Sequence, residues 1–269
     1  MRTFQLAPVA AVLAFSLTGC FVPGLEDGED VASATQADES TNSLTANSLT
    51  ANSLTANSLT ANSLTANSLT ANSLTANSLT ANALTDPAAR TVLKYIVGCA
   101  LPAGQSIDVV ISGTSYHYDG QLGLAPSWGV DQGSSGDNGE RGSACDGKCI
   151  EAVSACVLAR VNHLGQTVPI SVRGAGLTAA PSEASAYPNV DGTYYGNIFT
   201  SPQIRYACLP PGVTQLTRVC GSSLSGCVVT SQGPCEQVCG KVKSDGSYKH
   251  CSDASASAKF DRSISVYLQ

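Results

Sequence analysis

The chain has 269 residues and a formal net charge of −6, and 13% of its residues are charged. Its acidity lies in one segment: residues 21–85 hold six acids and no Lys or Arg, whereas residues 86–269 hold 13 basic and 14 acidic residues. The C-terminal part therefore lacks the basic patch of a nucleic-acid-binding domain, and we predict no nucleic-acid partner.

The first 20 residues have the pattern of an export signal. Arg2 supplies a positive charge, residues 6–17 are almost all apolar, and small residues precede Cys20. The apolar stretch is shorter than the about 20 residues that span a bilayer. The run Leu17–Cys20 resembles a lipobox, the processing site of bacterial lipoproteins. The resemblance implies removal of residues 1–19 and acylation of the Cys20 sulfur and amino group. An ordinary secretory signal with an incidental cysteine is the alternative.

A lipidated Cys20 would anchor the chain in a membrane and place the rest of it outside the cytoplasm, in an oxidising compartment. Phe21 follows this cysteine, where an aspartate typically retains such proteins in the inner membrane of Gram-negative bacteria. We therefore predict a lipid-anchored protein of the cell envelope, held in the outer membrane.

Residues 20–85 are predicted to form a disordered tether. After an acidic patch come nine units of the repeat Asn-Ser-Leu-Thr-Ala, which starts at Asn42 and ends in a degenerate unit at 82–85. A period of five builds no apolar stripe on a helix, and on a strand it sends successive leucines to opposite faces. A pentapeptide-repeat solenoid is the structured alternative. Its consecutive motif is interrupted by Ser, and nine units would give about two coils, fewer than a stack needs. We favour a disordered stalk rich in Ser and Thr.

Three helices are predicted in residues 86–269. An Asp-Pro pair at 86–87 is typical of a helix start, four apolar residues between Val92 and Val97 form one face, and Gly98 is expected to end this helix. A second helix is predicted from about Cys149 to His163, where apolar residues recur at helical spacing. A helix of one or two turns is expected between residues 233 and 240.

Residues 86–269 are predicted to form one globular domain, since this length is enough to build a hydrophobic core. Its strands are predicted from runs of alternating or β-branched residues. The strands are expected at Ile107–Tyr118, 167–173, 193–199, 204–209 and 262–268. Residues 129–148 are rich in Gly, Ser and Asp and indicate a long loop. The predicted fold class is α+β, a disulfide-rich, largely antiparallel sheet with two main helices, preceded by the disordered repeat stalk.

Ten cysteines follow Cys20, and all of them lie in the predicted domain: Cys99, Cys145, Cys149, Cys156, Cys208, Cys220, Cys227, Cys235, Cys239 and Cys251. An even number in an exported domain predicts up to five disulfides, each typically worth about 2–4 kcal/mol of stability. The spacing separates a group of four from a group of six, so each group could pair internally. The individual pairs do not follow from the sequence.

A zinc site is the alternative use of these cysteines. On a helix, Cys149, Cys156 and His163 recur every seven residues and share one face, and Cys145 would join them if the helix began early. Thiolates and an imidazole are suitable zinc ligands. Because a C-x₂-C pair is missing and the domain is exported, we favour disulfides and predict neither a metal nor a cofactor.

Few residues in the sequence suggest catalysis, since the common hydrolase and phosphate-binding motifs are missing. On a strand, His117 and Asp119 would project to the same side, close enough for the acid to orient the imidazole. We favour a polar strand end over a catalytic pair. Trp128, the one tryptophan, lies beside the glycine-rich loop and is the candidate contact for a sugar or peptide.

Several motifs together resemble those of uncharacterised surface lipoproteins of myxobacteria, which combine a lipobox, an Asn-x-Leu-Thr repeat stalk and a cysteine-rich C-terminal domain. They are Leu17–Cys20, the repeat at 42–85, Cys99–Gly104, Ser154–Asn162 and Tyr195–Asn197. The resemblance covers most of the chain and implies location and architecture, without any activity.

We therefore expect a membrane-anchored lipoprotein whose domain is a non-enzymatic module that binds an extracellular or envelope ligand or makes surface contacts. The alternative is a secreted-type hydrolase that acts on an envelope or extracellular polymer, with His117 as its base. Replacement of His117 by alanine distinguishes the two, since it would silence the hydrolase and leave the binding module intact.

Overall fold

The structure is a computed structural model that describes residues 48–51, 87–125, 145, 147–164, 167–200, 202–222, 226–244 and 246–269. The predicted signal peptide, Cys20, Trp128 and most of the repeat lie outside the described residues. The lipidation of Cys20, the ligand contact of Trp128 and the disorder of the stalk stay predictions.

The helices are α1 Pro87–Ala100, α2 Gly147–Ala159, α3 Pro181–Ala186, α4 Thr217–Cys220 and α5 Cys235–Val238. The strands are β1 Ser48–Ala51, β2 Ser106–Ile111, β3 Thr114–Asp119, β4 Val168–Arg173, β5 Asn189–Asn197, β6 Ile204–Leu209, β7 Thr230–Pro234, β8 Cys251–Ser252, β9 Lys259–Phe260 and β10 Ile264–Leu268.

Within the described residues these strands form one main sheet and two small hairpins. The main sheet has the order β1-β4-β10-β5-β6-β7, and its neighbours are antiparallel except for the β6–β7 pair. The strands β2 and β3 form one hairpin, and β8 and β9 form the other. The α+β class, with two main helices and a largely antiparallel sheet, is confirmed.

Helix α1 buries the predicted apolar face between Val92 and Val97. The predicted end at Gly98 is wrong, because the helix continues to Ala100. A Cβ at Gly98 would lie 3.0 Å from Nη1 of Arg160 and 3.1 Å from Oε1 of Gln121. Glycine leaves room for this close approach of two side chains, and it does not mark the end of the helix.

The predicted strand Ile107–Tyr118 is a hairpin and not one strand. Ser112 and Gly113 form its two-residue turn with φ angles of 50° and 84°. Positive φ at both central residues is typical of the turn that suits the twist of paired strands. Burial alternates along β2, so one face of the hairpin packs on the core and the other lies in solvent.

Helix α2 is the centre of the domain. It begins two residues before the predicted Cys149 and ends four residues before the predicted His163. All residues from Ala152 to Ala159 are buried, because the helix packs against both the main sheet and α1. A helix that is covered on all sides needs the apolar, small-residue composition that this segment has.

The other predicted strands are present with shifted ends. Those at 167–173, 204–209 and 262–268 correspond to β4, β6 and β10 within two residues. The one at 193–199 corresponds to β5, which begins four residues earlier and ends two residues earlier. The helix expected between 233 and 240 is α5, a single turn.

One repeat unit takes part in the main sheet. Ser48–Ala51 forms the edge strand β1 and pairs antiparallel with β4, with Leu49 opposite Ile170 and Ser48 opposite Ser171. For these four residues the structure has a strand where the sequence predicts a disordered stalk.

All ten cysteines of the domain form disulfides, so the prediction of five is confirmed. The pairs are Cys99–Cys156, Cys145–Cys149, Cys208–Cys235, Cys220–Cys227 and Cys239–Cys251. The first two lie in the N-terminal group and the other three in the C-terminal group, as the spacing allows. In the part of the chain that the structure describes, no helix has the length and apolarity to cross a membrane.

Candidate functional site

A cleft of about 530 Å³ opens beside α5. It is lined by Glu236, Cys239, Gly240, Lys241, Val242 and Tyr248. Its volume falls within the about 300–1,000 Å³ that small-molecule sites typically have.

Two disulfides hold the walls of this cleft. Cys239, the residue after α5, is bonded to Cys251 in β8, and Cys235 at the start of α5 is bonded to Cys208 in β6. The Sγ atoms of Cys208 and Cys239 are 3.6 Å apart, so the two disulfides are in contact. The short helix α5 is therefore fixed at both ends to the sheet and to the β8–β9 hairpin.

The loop that completes the cleft folds back on itself. The Gly240 amide donates to the Lys249 carbonyl at 2.8 Å, and the Lys243 amide donates to the Ser247 carbonyl at 2.8 Å. The backbone of Tyr248 is held in turn, because its carbonyl accepts a hydrogen bond of 2.7 Å from the buried Ser263 hydroxyl. These backbone bonds fix the positions of the lining residues relative to one another.

The lining side chains combine opposite charges with an apolar surface. Glu236 and Lys241 are exposed, and the side chain of Val242 is 55% exposed although it is apolar. Tyr248 is buried; burial raises the pKa of its phenol, and the carboxylate of Glu236 raises it further. The phenol therefore stays neutral near pH 7. The cleft can accept a ligand with an apolar part and charged groups of both signs.

His117 lies far along the chain from this cleft, on the outer face of the β2–β3 hairpin. Its Nε2 atom is 3.1 Å from an Asp119 oxygen, as the two-residue spacing predicts. Its Nδ1 atom is 2.7 Å from an Asp108 oxygen, because the hairpin register places Asp108 opposite His117. The contact with Asp108 raises the pKa of His117, and the contact with Asp119 raises it further.

This arrangement favours the imidazolium form of His117. Carboxylates only accept hydrogen bonds, so both contacts are strongest when each ring nitrogen carries a proton. A general base needs an unprotonated nitrogen within reach of the substrate proton. The contact between His117 and Asp119 is present, and Asp108 engages the other ring nitrogen.

The alternative zinc site is wrong. Cys149 is bonded to Cys145, and Cys156 is bonded to Cys99, so neither sulfur is a free thiolate. His163 lies beyond the end of α2, and its Nδ1 atom is 2.9 Å from the Arg218 carbonyl oxygen. The described residues contain no cluster of three or more His, Cys, Asp or Glu that could hold a metal ion.

The domain thus defines a class: a disulfide-stapled α+β module with a small cleft beside two contacting disulfides. Comparison with known protein families, with curated proteins and with solved structures finds no match. The function therefore has to be inferred from the geometry of this chain.

Proposed function

We propose that the protein is a membrane-anchored extracytoplasmic lipoprotein whose C-terminal domain is a non-enzymatic binding module. The cleft lined by Glu236, Lys241, Val242 and Tyr248 is its ligand site. The sequence pattern that ends at Cys20 supports the anchor, and five disulfides suit an oxidising compartment.

The cleft is the observation that carries the binding proposal. It combines a carboxylate, an ammonium group and an exposed apolar side chain on a frame fixed by two disulfides. A preformed frame lowers the entropy that a ligand loses on binding.

The charges point to a class of ligand. An ammonium group would pair with Glu236, a carboxylate with Lys241, and an apolar side chain would cover Val242. A short peptide with free ends has these three features, and so do the peptide stems of cell-envelope polymers. The cleft is too small for a folded partner, so the partner contributes one such segment.

Calorimetry of the whole protein with a panel of short peptides, peptidoglycan stem fragments and neutral oligosaccharides tests this site. We expect binding of zwitterionic peptides and no binding of neutral sugars. Lys241→Ala removes a charged contact and should weaken binding by about tenfold or more. Lys148→Ala is the matched control, because Lys148 is an exposed lysine at the start of α2. Equal affinities of both variants, or binding by none of the peptides, would contradict the cleft proposal.

The same panel tests the hydrolase alternative when the mixtures are analysed by mass spectrometry. Turnover that is present in the parent protein and lost in His117→Ala would overturn the non-enzymatic proposal. Turnover that survives this change would place a catalytic site elsewhere in the chain.

The anchor has a test of its own. The intact mass of the protein extracted from membranes should correspond to a chain that starts at Cys20 and carries acyl groups. Cys20→Ser should remove this mass and release the domain from the membrane fraction. Retention of Cys20→Ser in the membrane would contradict the lipid anchor while leaving the cleft proposal standing.

A further inference from the structure

The edge strand β1 is one member of a set of identical segments. It consists of Ser48–Ala51, one unit of the repeat, and pairs with β4 at the edge of the main sheet. The sequence Ser-Leu-Thr-Ala occurs eight times in the chain, and the starting serines are Ser43, Ser48, Ser53, Ser58, Ser63, Ser68, Ser73 and Ser78. Seven further segments therefore have the residues that the β4 edge accepts.

We propose that the outer edge of β4 is a docking site for the repeat, which any of the eight Ser-Leu-Thr-Ala units of the same chain can occupy. The stalk then has a set of alternative attachments that differ by steps of five residues. The edge site does not depend on the ligand cleft or on the lipid anchor.

The register explains why the step is five residues. A shift of one residue would move every side chain of a strand to the other face, which a half-buried sheet opposes. A shift of five residues restores the same residues at the same positions, with leucine again opposite the buried Ile170. The alternative attachments are therefore nearly equal in pairing free energy.

The same odd period limits the docked segment to one unit. If the strand continued past Ala51, the next leucine, Leu54, would fall on the face opposite to that of Leu49. The described strand, Ser48–Ala51, lies within one unit. One unit at a time is what the edge can accept.

The pairing is short enough to exchange. It involves four residue pairs, and one of them joins Thr50 to Pro169, which has no amide hydrogen to donate. On the opposite side of β4, β10 pairs with Ser171, Val172 and Arg173 but not with Pro169. Proline in a sheet is typical of such weakly paired edge positions.

The occupant belongs to the same chain and not to a second copy. Residues 52–86 connect the docked unit to α1 in the chain, and covalent connection raises the effective concentration of a unit at the edge well above that of a second copy. The cost of closing such a loop changes slowly with its length, so several units compete on similar terms.

The consequence for a lipid-anchored protein is a stalk of adjustable reach, and this consequence rests on the proposed anchor at Cys20. With unit 43–46 docked, residues 21–42 separate the anchor from the sheet. With unit 78–81 docked, residues 21–77 separate them. For a flexible chain the root-mean-square reach would increase from about 25 Å to about 40 Å.

Hydrogen exchange of the β4 amides in the whole protein, followed by mass spectrometry, tests the proposal. Leu49→Asp damages the observed unit alone, and we expect β4 protection to change by less than about twofold because another unit takes its place. Aspartate at all eight unit leucines should lower that protection by tenfold or more. These leucines are Leu44, Leu49, Leu54, Leu59, Leu64, Leu69, Leu74 and Leu79.

A rescue variant makes the test specific. Restoring leucine at position 64 alone in the eightfold variant should return the β4 protection, although Ser48–Ala51 remains damaged. The proposal is overturned if Leu49→Asp alone abolishes protection, if the eightfold variant keeps it, or if the single leucine fails to restore it. Protection that depends on protein concentration, with dimers in light scattering, would identify a second copy as the occupant and overturn docking within one chain.

Discussion

Two charged clusters in the domain differ in exposure, and the difference decides how much each contributes to the stability of the fold. On the β2–β3 hairpin, the side chains of His117, Asp108 and Asp119 are 40%, 67% and 61% exposed. Below the surface, Arg218 in α4 and Asp191 in β5 are 3% and 5% exposed, with 2.9 Å between Nη2 and Oδ2.

The buried cluster is completed by neutral groups. Arg218 donates to the Val161 carbonyl oxygen and, at 3.1 Å, to the Tyr194 hydroxyl. Tyr194 in turn donates to Asp191 at 2.9 Å. Burial, followed by the charge of Asp191, raises the pKa of Tyr194 well above its ordinary value, so this phenol remains a donor. The cluster joins α4, β5 and the end of α2, whereas water already solvates the hairpin cluster.

The largest expected effect comes from breaking the buried cluster. Arg218→Ala would leave the Asp191 carboxylate buried without a cation, and we expect the free energy of unfolding to fall by about 3–5 kcal/mol. Unfolding of the oxidised protein in guanidinium chloride at neutral pH measures this loss of free energy. The exposed Lys148→Ala should change the same quantity by less than about 0.5 kcal/mol. A loss below about 1 kcal/mol in Arg218→Ala would contradict this expectation, because the buried pair would then stabilise the fold no more than an exposed ion pair does.

A second buried arginine sharpens the comparison, because none of the described carboxylates forms an ion pair with it. Arg160 is 2% exposed and donates to Gln121 at 2.7 Å, while its Nε and Nη1 atoms have no hydrogen-bond partner in the part of the chain that the structure describes. Its guanidinium carbon lies 4.9 Å from the centre of the Tyr95 ring. Burial lowers the pKa of Arg160 to about 10.

Replacing Arg160 by methionine removes a buried charge and keeps much of the side-chain volume. We expect Arg160→Met to leave the free energy of unfolding unchanged or to raise it by up to about 2 kcal/mol. The identical chemical change at the paired site, Arg218→Met, should lower it. Denaturant unfolding of both variants decides this, and a loss above about 1 kcal/mol in Arg160→Met would contradict it.

The elements predicted correctly from the sequence are those with a sustained apolar periodicity, at helical spacing or in alternation. Helices α1 and α2 follow from apolar residues at helical spacing. The β2–β3 turn was missed because residues alternate on both sides of Ser112 and Gly113, which makes two strands look like one. Helix α3, at 181–186, has six residues, too few for a periodic pattern to identify it.

The candidate sites show the same limit. The contact of His117 with Asp119 follows from their spacing of two residues, but the contact with Asp108 depends on the hairpin register. The cleft around Glu236 and Lys241 depends on the pairing of Cys239 with Cys251, and the spacing of cysteines does not give that pairing. Local geometry was predictable, and contacts created by tertiary pairing were not.

The smallest expected effect is at the exposed cluster, and its sign depends on pH. Because the folded-state pKa of His117 is raised above 6.5, its contacts stabilise the fold below that pH, and the contribution is lost as the pH rises through the raised value. His117→Ala should therefore lower the melting temperature at about pH 5 and leave it unchanged at about pH 9, with an effect below about 1 kcal/mol. Differential scanning calorimetry at both pH values measures it. Asp108→Asn, which removes the stronger contact, should reduce the same low-pH stabilisation. A larger loss at about pH 9 than at about pH 5 would mean that His117 contributes through packing and not through its charge.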